Sequence, residues 1–302
     1  MSTFLRVAQP ESSLPVPDFT ARIERLFIYP VKSCAGVELQ EAVLTETGLD
    51  LDRAWMVVDE EGQFVTQREL PRMALIRPQL KSYEVVLRAP GMLALHLQID
   101  VVEEPARVRI WDDEVSAYDM GATAAQWFSD FLGRKLRLVR FDPEQRRLSD
   151  PKWTGELEAA NQFSDGFPLL VIGQASLDLF NERLAASGHA AVAMERFRPN
   201  IVLSGIEAHD EDRVANFEVA AGSAVLLRAV KPCPRCPIPN VDPHTAEVDP
   251  AIGDTLQAYR RNDRLNGAVS FGMNMAIAQG VDQILKVGQT VTADYQFDSA
   301  AS

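Results

Sequence analysis

The chain has 302 residues, enough for one or two domains, and its 46% hydrophobic and 24% charged residues are the proportions of a soluble globular protein. A formal charge of −13 disfavours general binding to nucleic acid or to anionic membranes, so any bound anion must meet a local basic cluster against the overall field. Three cysteines are too few, and odd in number, for a disulfide framework, which fits a reducing cytoplasm.

Residues 1–20 carry Pro10, Pro15 and Pro17 among polar residues and lack the apolar stretch of a signal peptide, so a mobile tail is expected. The apolar runs, such as Pro168–Ile172, are too short to span a bilayer. Arg22–Tyr29 predicts a strand, broken by Pro30-Val-Lys-Ser-Cys-Ala-Gly36. Lys32 and Ser33 fall where that strand ends, and an ammonium, a hydroxyl and free backbone N–H groups suit a phosphate or carboxylate. Either residue could equally be an ordinary solvated turn residue. Asp52–Asp59 and Gln63–Gln67 predict a hairpin turned at Gly62, with Arg53 at its start and Arg68 and Arg72 beyond it. Arg53 has an ordinary alternative as a surface partner of Asp52 or Asp50.

Tyr83–Leu87, Met92–Leu97, Val108–Ile110 and Val115–Tyr118 continue a run of short strands, which barrel closure would protect at the edges. His96 alternates against Leu95 and Leu97 and belongs on the solvent face. Ala122–Leu132 changes to helical period and stops at Gly133; Leu136–Val139 returns to strand. Residues 142–160, charged and interrupted by Pro143, Pro151 and Gly155, predict a linker or lid. Asp165-Gly166 marks a turn before the buried strand ending at Ile172, and a helix with Ser176 as N-cap follows. In Glu195-Arg-Phe-Arg-Pro-Asn-Ile, Pro199 places Arg198 and Asn200 at a strand's first position, offering a planar donor fork and an amide. Phe217–Ala221 and Ala224–Ala229 predict a hairpin leading into the last motif; a short helix around Leu256 and Tyr259 and strands at 269–276 and 287–292 close the chain.

That motif is Val230–Glu247, where Pro232, Pro234, Pro237 and Pro239 alternate around Cys233, Arg235, Cys236 and Ile238. Each proline fixes φ, lacks an N–H and pushes its predecessor out of the helical region. A stiff loop presenting Cys236 is expected, with neither helix nor central strand. Three chemistries compete: a redox dithiol, a zinc knuckle completed by Cys34, His209 or His244, and a single thiolate ligand to a redox metal held by a cofactor, with Arg235 favouring the thiolate. Two buried structural cysteines are the plain alternative.

Lys231-Pro-Cys-Pro-Arg-Cys-Pro-Ile-Pro-Asn-Val-Asp-Pro-His-Thr resembles the cysteine loop of MOSC domains, the molybdenum cofactor-binding domains that include the mitochondrial amidoxime-reducing component and its bacterial relatives. The likeness runs from about Arg22 to about Tyr295 and includes Tyr-Pro-Val-Lys-Ser at 29–33 and the Arg-Pro-Asn run at 198–200. It implies an α+β, β-rich fold: a MOSC N-terminal β-barrel-like domain at 21–141, a linker or lid at 142–160, and a MOSC β-barrel domain at 161–296 with a few peripheral helices.

The resemblance assigns Cys236 to molybdenum, and Lys32, Ser33, Arg53, Asp165, Arg198, Asn200, Pro234 and Arg235 to a molybdopterin cofactor; no pyridoxal phosphate is expected. It implies reduction of small N-hydroxylated compounds, N–OH to N–H. A two-iron cluster needs four cysteines and this chain has three, so a separate ferredoxin, cytochrome b5-like protein or flavoprotein is the expected electron donor. The alternative is a cofactor carrier or sulfur-transfer protein without reductase activity. Two departures stand out: Pro234 replaces a small hydroxylic residue between the cysteines, and Ala246 stands where glycine is frequent.

Overall fold

The computed structural model describes residues 17–101 and 104–296, so the tail expected at 1–20 falls almost wholly outside them. Strands dominate, and the helices among the described residues are Gly121–Leu132 (α1), Pro151–Thr154 (α2), Gln174–Ala186 (α3) and Ala251–Tyr259 (α4).

Seven strands close into a ring: β1 (Phe19–Ile28), β2 (Leu169–Gly173), β3 (Ile201–Ser204), β4 (Asn216–Val219), β5 (Val225–Pro234), β6 (Ala268–Gln279) and β7 (Thr290–Ala293). Their bonded order is β2-β3-β1-β7-β4-β5-β6, and β6 pairs back onto β2. Only β2 and β3 run parallel within it, and the chain crosses between them through α3, as parallel neighbours require. Alternation along the strands sends Ala21, Ile23, Leu203, Leu227, Met273 and Val291 into one core. At Gly272 (φ +79°) a Cβ would lie 2.6 Å from Ile172, so β6 can pass this close to β2 only with glycine there.

β1 departs from the expected domain order. It opens the expected first domain, yet it is bonded between β3 and β7 of the second. Its apolar face is complementary to that core, and burial decides its place over sequence proximity.

In the first domain, Trp55–Val58, Arg137–Phe141, Asp113–Asp119 and Pro105–Ile110 form a four-stranded sheet in that order. The expected strand Gln63–Gln67 contracts to two bridges, Val58 with Phe64 and Gln63 with Arg109, which join the two edges of this sheet. The small barrel so closed holds Met56, Phe64, Val108, Ile110, Val139 and Phe141, together with Phe163 from the second half of the chain. α1 seals a neighbouring core with Ala124, Trp127, Phe128, Phe131 and Leu132, and Gly133 (φ 71°) ends it in the left-handed conformation. His96 lies on the exposed side of Leu95–Gln98, beside Glu84 at 2.9 Å.

Two local expectations change. The proline-rich motif does not exclude a strand: β5 continues through Pro232 and Cys233 to Pro234, with irregular register against β6, and a 3₁₀ turn follows at Ile238–Asn240. The ladder from β4 ends at Arg228, so the prolines sit where β5 has an open edge and need donate nothing across it. Ser176 does not cap its helix, which begins at Gln174 after Gly173; its hydroxyl instead donates to the buried Glu211 carboxylate and accepts from His209 N.

Candidate cofactor site

A cavity of about 690 Å³ opens between the two domains at one end of the large barrel. All nine residues singled out from sequence line it: Lys32 and Ser33 after β1, Arg53, Asp165 ahead of β2, Arg198 and Asn200 ahead of β3, and Pro234, Arg235 and Cys236 at the end of β5. Segments far apart in sequence converge because each leads into or out of a strand at the same end. Ser33 (φ 67°), Arg53 (φ 51°) and Arg198 (φ 58°) all have left-handed backbone, which non-glycine residues adopt at a cost of about 1–3 kcal/mol each. Such conformations persist only where the surroundings over-determine them.

Lys32 is buried, and its Nζ donates to Phe163 O at 2.8 Å and Asp165 Oδ1 at 2.5 Å. Burial lowers its pKa to about 8, against the pull of Asp165. Burial also opposes ionisation of Asp165, but the Lys32 charge and hydrogen bond, with Arg68 and Trp111, outweigh it and hold this carboxyl well below the usual range. Burial and the neighbouring Arg53 lower Arg198 to about 10. The Arg53 and Arg198 guanidiniums lie 4.3 and 4.2 Å from the Tyr29 ring centroid, and Arg198 Nη1 donates to Cys34 O at 2.7 Å. Arg235 spends Nε on Phe271 O and Nη1 on Phe197 O, both at 3.0 Å. Its Nη2, like Arg68 Nε, is buried without a partner.

Asn200 works differently from its neighbours. Its amide oxygen accepts from Leu170 N at 3.1 Å and Arg53 Nη1 at 3.3 Å, and its Nδ2 donates to Phe27 O at 3.2 Å. It ties β1 to β2 and steadies Arg53. Cys233 also lines the cavity, with its thiol pKa raised by burial against the pull of Arg235.

Four contributors escaped the sequence reading or were left undecided by it. Arg68 faces the cavity, whereas Arg72 stacks on Phe131, 4.5 Å from its centroid. Arg147, from the segment expected to be a linker, donates to Asp113 Oδ2 at 2.7 Å, Asn161 Oδ1 at 2.5 Å, and Gln162 O and Ser164 O at 2.8 Å. It thereby fixes the loop that carries Asp165. Lys231 and Trp111 complete the wall. Only the basic run at 146–147 hinted at Arg147; nothing local marked Trp111.

The ligands considered for a zinc knuckle are dispersed. Cys34 is enclosed in the first domain's core, where burial pushes its thiol up to about 12. His209 lies against Tyr259 and Phe271, and His244 beside Arg77. No group of three or more His, Cys, Asp or Glu residues suited to a metal ion occurs among the described residues.

A closed barrel joined to a smaller strand domain, with a cysteine and a cationic cavity where they meet, defines a class of protein. The MOSC N-terminal beta barrel domain family matches residues 20–135 and the MOSC domain family residues 158–292. The chain belongs to the MOSC family that contains the amidoxime reducing components. It is 37% identical over 251 residues to the human mitochondrial amidoxime reducing component 2, covering 80% of this chain and 73% of that protein. The mouse mitochondrial amidoxime-reducing component 1 is 37% identical over 80% of this chain and 72% of its own. Bovine molybdenum cofactor sulfurase is 28% identical over 87% of this chain, which spans 31% of that larger protein.

Proposed function

We propose that the protein reduces N-hydroxylated compounds, N–OH to N–H, with a molybdenum–pterin cofactor in this cavity. The observation that carries the reading is Cys236 at the edge of one cavity with Lys32, Arg53, Arg68, Arg198 and Arg235, in a chain of formal charge −13. Cations gathered this closely repel one another unless an anion lies among them, and a phosphorylated pterin supplies one. Two cysteines with no further ligands are insufficient for a structural zinc, whereas one thiolate suits a metal that brings its other ligands with it. The cavity residues therefore fit the cofactor. Support for the chemistry comes from relatives named as amidoxime reducing components.

Cys236 would provide the protein's sulfur ligand, Lys32, Ser33, Arg53 and Arg198 would hold the anionic end, and Arg235 and the backbone at Pro234 would hold the pterin. Asn200 acts through Arg53. Asp165 keeps Lys32 protonated and sets a negative charge on the cavity wall. When bound, the cofactor supplies two-electron oxygen-atom chemistry; removing the N–OH oxygen as water consumes two electrons and two protons. A separate ferredoxin, cytochrome b5-like protein or flavoprotein would deliver the electrons. No described helix is long and apolar enough to cross a membrane, and cytoplasmic action is part of the proposal. The likeness to molybdenum cofactor sulfurase favours a second reading, cofactor carriage or sulfur transfer.

Elemental and pterin analysis of purified protein, with an amidoxime turned over by a reduced viologen dye, tests this. Stoichiometric molybdenum, phosphorylated pterin and turnover are expected. Molybdenum without turnover by any reductant would point to the carrier, and zinc alone would overturn both.

A further inference from the structure

We infer that Trp111 is a specificity-determining residue, which makes the cavity prefer substrates whose N-hydroxylated group is carried on a planar aromatic ring. The word substrate rests on the reductase reading; the binding preference does not. Ile110 and Asp113 pair directly, so Trp111 and Asp112 form a two-residue hairpin turn. Trp111 has φ 53°, the left-handed conformation that such a turn demands of its first residue and that glycine usually supplies. A bulky aromatic side chain is a poor choice for the turn itself.

Core packing does not explain the choice either. Trp111 is 45% exposed, whereas Trp55 and Trp127 are buried. It projects onto the cavity and is held there from three sides. Its Nε1 donates to Asp165 Oδ1 at 3.2 Å, the Arg68 guanidinium lies 4.7 Å from its centroid, and the Phe64 ring is 5.0 Å away. Asp113, the first residue of the returning strand, accepts from the buried Arg147 at 2.7 Å, which fixes the hairpin to the Asp165 loop. A fixed, partly exposed indole in a cavity wall is a stacking platform, since offset stacking and apolar burial both favour a planar ring against it. The adjacent ionised Asp165 accepts hydrogen bonds from nitrogen carried by that ring.

The test compares benzamidine with acetamidine binding to the purified holoprotein by calorimetry, and kcat/KM for the two corresponding amidoximes with reduced viologen. Wild type should favour the aromatic ligand roughly tenfold, the scale of one aromatic contact. Trp111→Gly should bring that ratio to within about twofold, and Trp111→Phe should keep most of it. Glycine suits φ 53°, so Trp111→Gly should stay folded and keep its molybdenum, which a cooperative melt and metal analysis check. No aromatic preference in wild type, or an unchanged preference in Trp111→Gly, overturns the assignment. Aromatic-selective binding without turnover would instead remove the reductase reading and leave the role of Trp111 standing.

Discussion

Strand β2 has a polar cluster at each end, and the two treat charge in opposite ways. Beside Leu169 and Leu170, Lys32 and Asp165 face each other at 2.5 Å inside the cavity wall. Asp165 stays ionised, and Lys32, though lowered to about 8, is still a cation at neutral pH. At the other end, Gly173 packs against Glu211 and Ser176. There burial, reinforced by Asp212, pushes Glu211 up to about 7, and burial, with Arg260, Arg183 and Arg213, lowers His209 to about 3. The Lys32 charge survives burial because an opposite charge touches it; Glu211, held by a hydroxyl and backbone N–H groups beside a like charge, and His209, among aromatic rings and guanidiniums, are pushed by desolvation toward their neutral forms. The cavity pair thus stays charged, whereas Glu211 and His209 move toward their neutral forms beside the Arg260–Asp212 ion pair.

Three experiments bear on that contrast. The largest effect is expected from Cys236→Ala, which should lose its molybdenum and essentially all turnover, while Cys233→Ala keeps most of both; metal content and amidoxime reduction measure this. Equal losses in two folded variants would end the assignment of Cys236. Next, Asp165→Asn leaves Lys32 buried beside a neutral amide. Asp165 raises the Lys32 pKa, so its removal should let Lys32 deprotonate below pH 8 and move the alkaline limb of the kcat/KM profile down. Activity at pH 8 should fall about fivefold for a one-unit displacement. A limb that stays in place or moves up would show that Asp165 does not hold that proton.

The smallest effect tests the far end. Folded Glu211 binds its proton more tightly than a carboxyl of pKa 4.5, so its stabilising contribution is complete below that value and is lost as pH rises through about 7. Wild type should lose stability between about pH 5 and pH 8, on the order of 1 kcal/mol once relaxation of the site is allowed for. Glu211→Gln should flatten that dependence and leave turnover at pH 7 unchanged. Urea midpoints across the pH range decide it, and identical slopes for the two proteins would remove Glu211 as the cause.

The strand-rich, two-domain MOSC architecture was legible from local motifs, because proline spacing, turn residues and alternation are short-range signals. Of the nine residues that line the cavity, Cys236 and Arg235 stood out by their proline-ringed setting, while Lys32, Arg53 and Asp165 had ordinary local alternatives and were singled out by the resemblance. Arg147 was missed because its partners, Asp113, Asn161, Gln162 and Ser164, lie on either side of it in sequence and give no local pattern. Trp111 was missed because it breaks the turn rule that would have identified its position. Ala246 (φ 63°) explains in backbone terms why glycine is frequent there. The continuation of β5 through Pro232 was obscured because a proline excludes a strand only where its missing donor is needed, and open edges depend on the assembled sheet.

The position of β1 binds the two domains into one folding unit. This strand is synthesised at the start of the first domain, yet both of its long-range barrel neighbours, Ile201–Ser204 and Thr290–Ala293, emerge much later. Until they do, its backbone donors and acceptors have no ladder to join on the side of the large barrel. Ring closure therefore waits for Thr290–Ala293 and draws the start and end of the described chain together, and the large barrel cannot be cut away from Phe19–Ile28 without opening its wall.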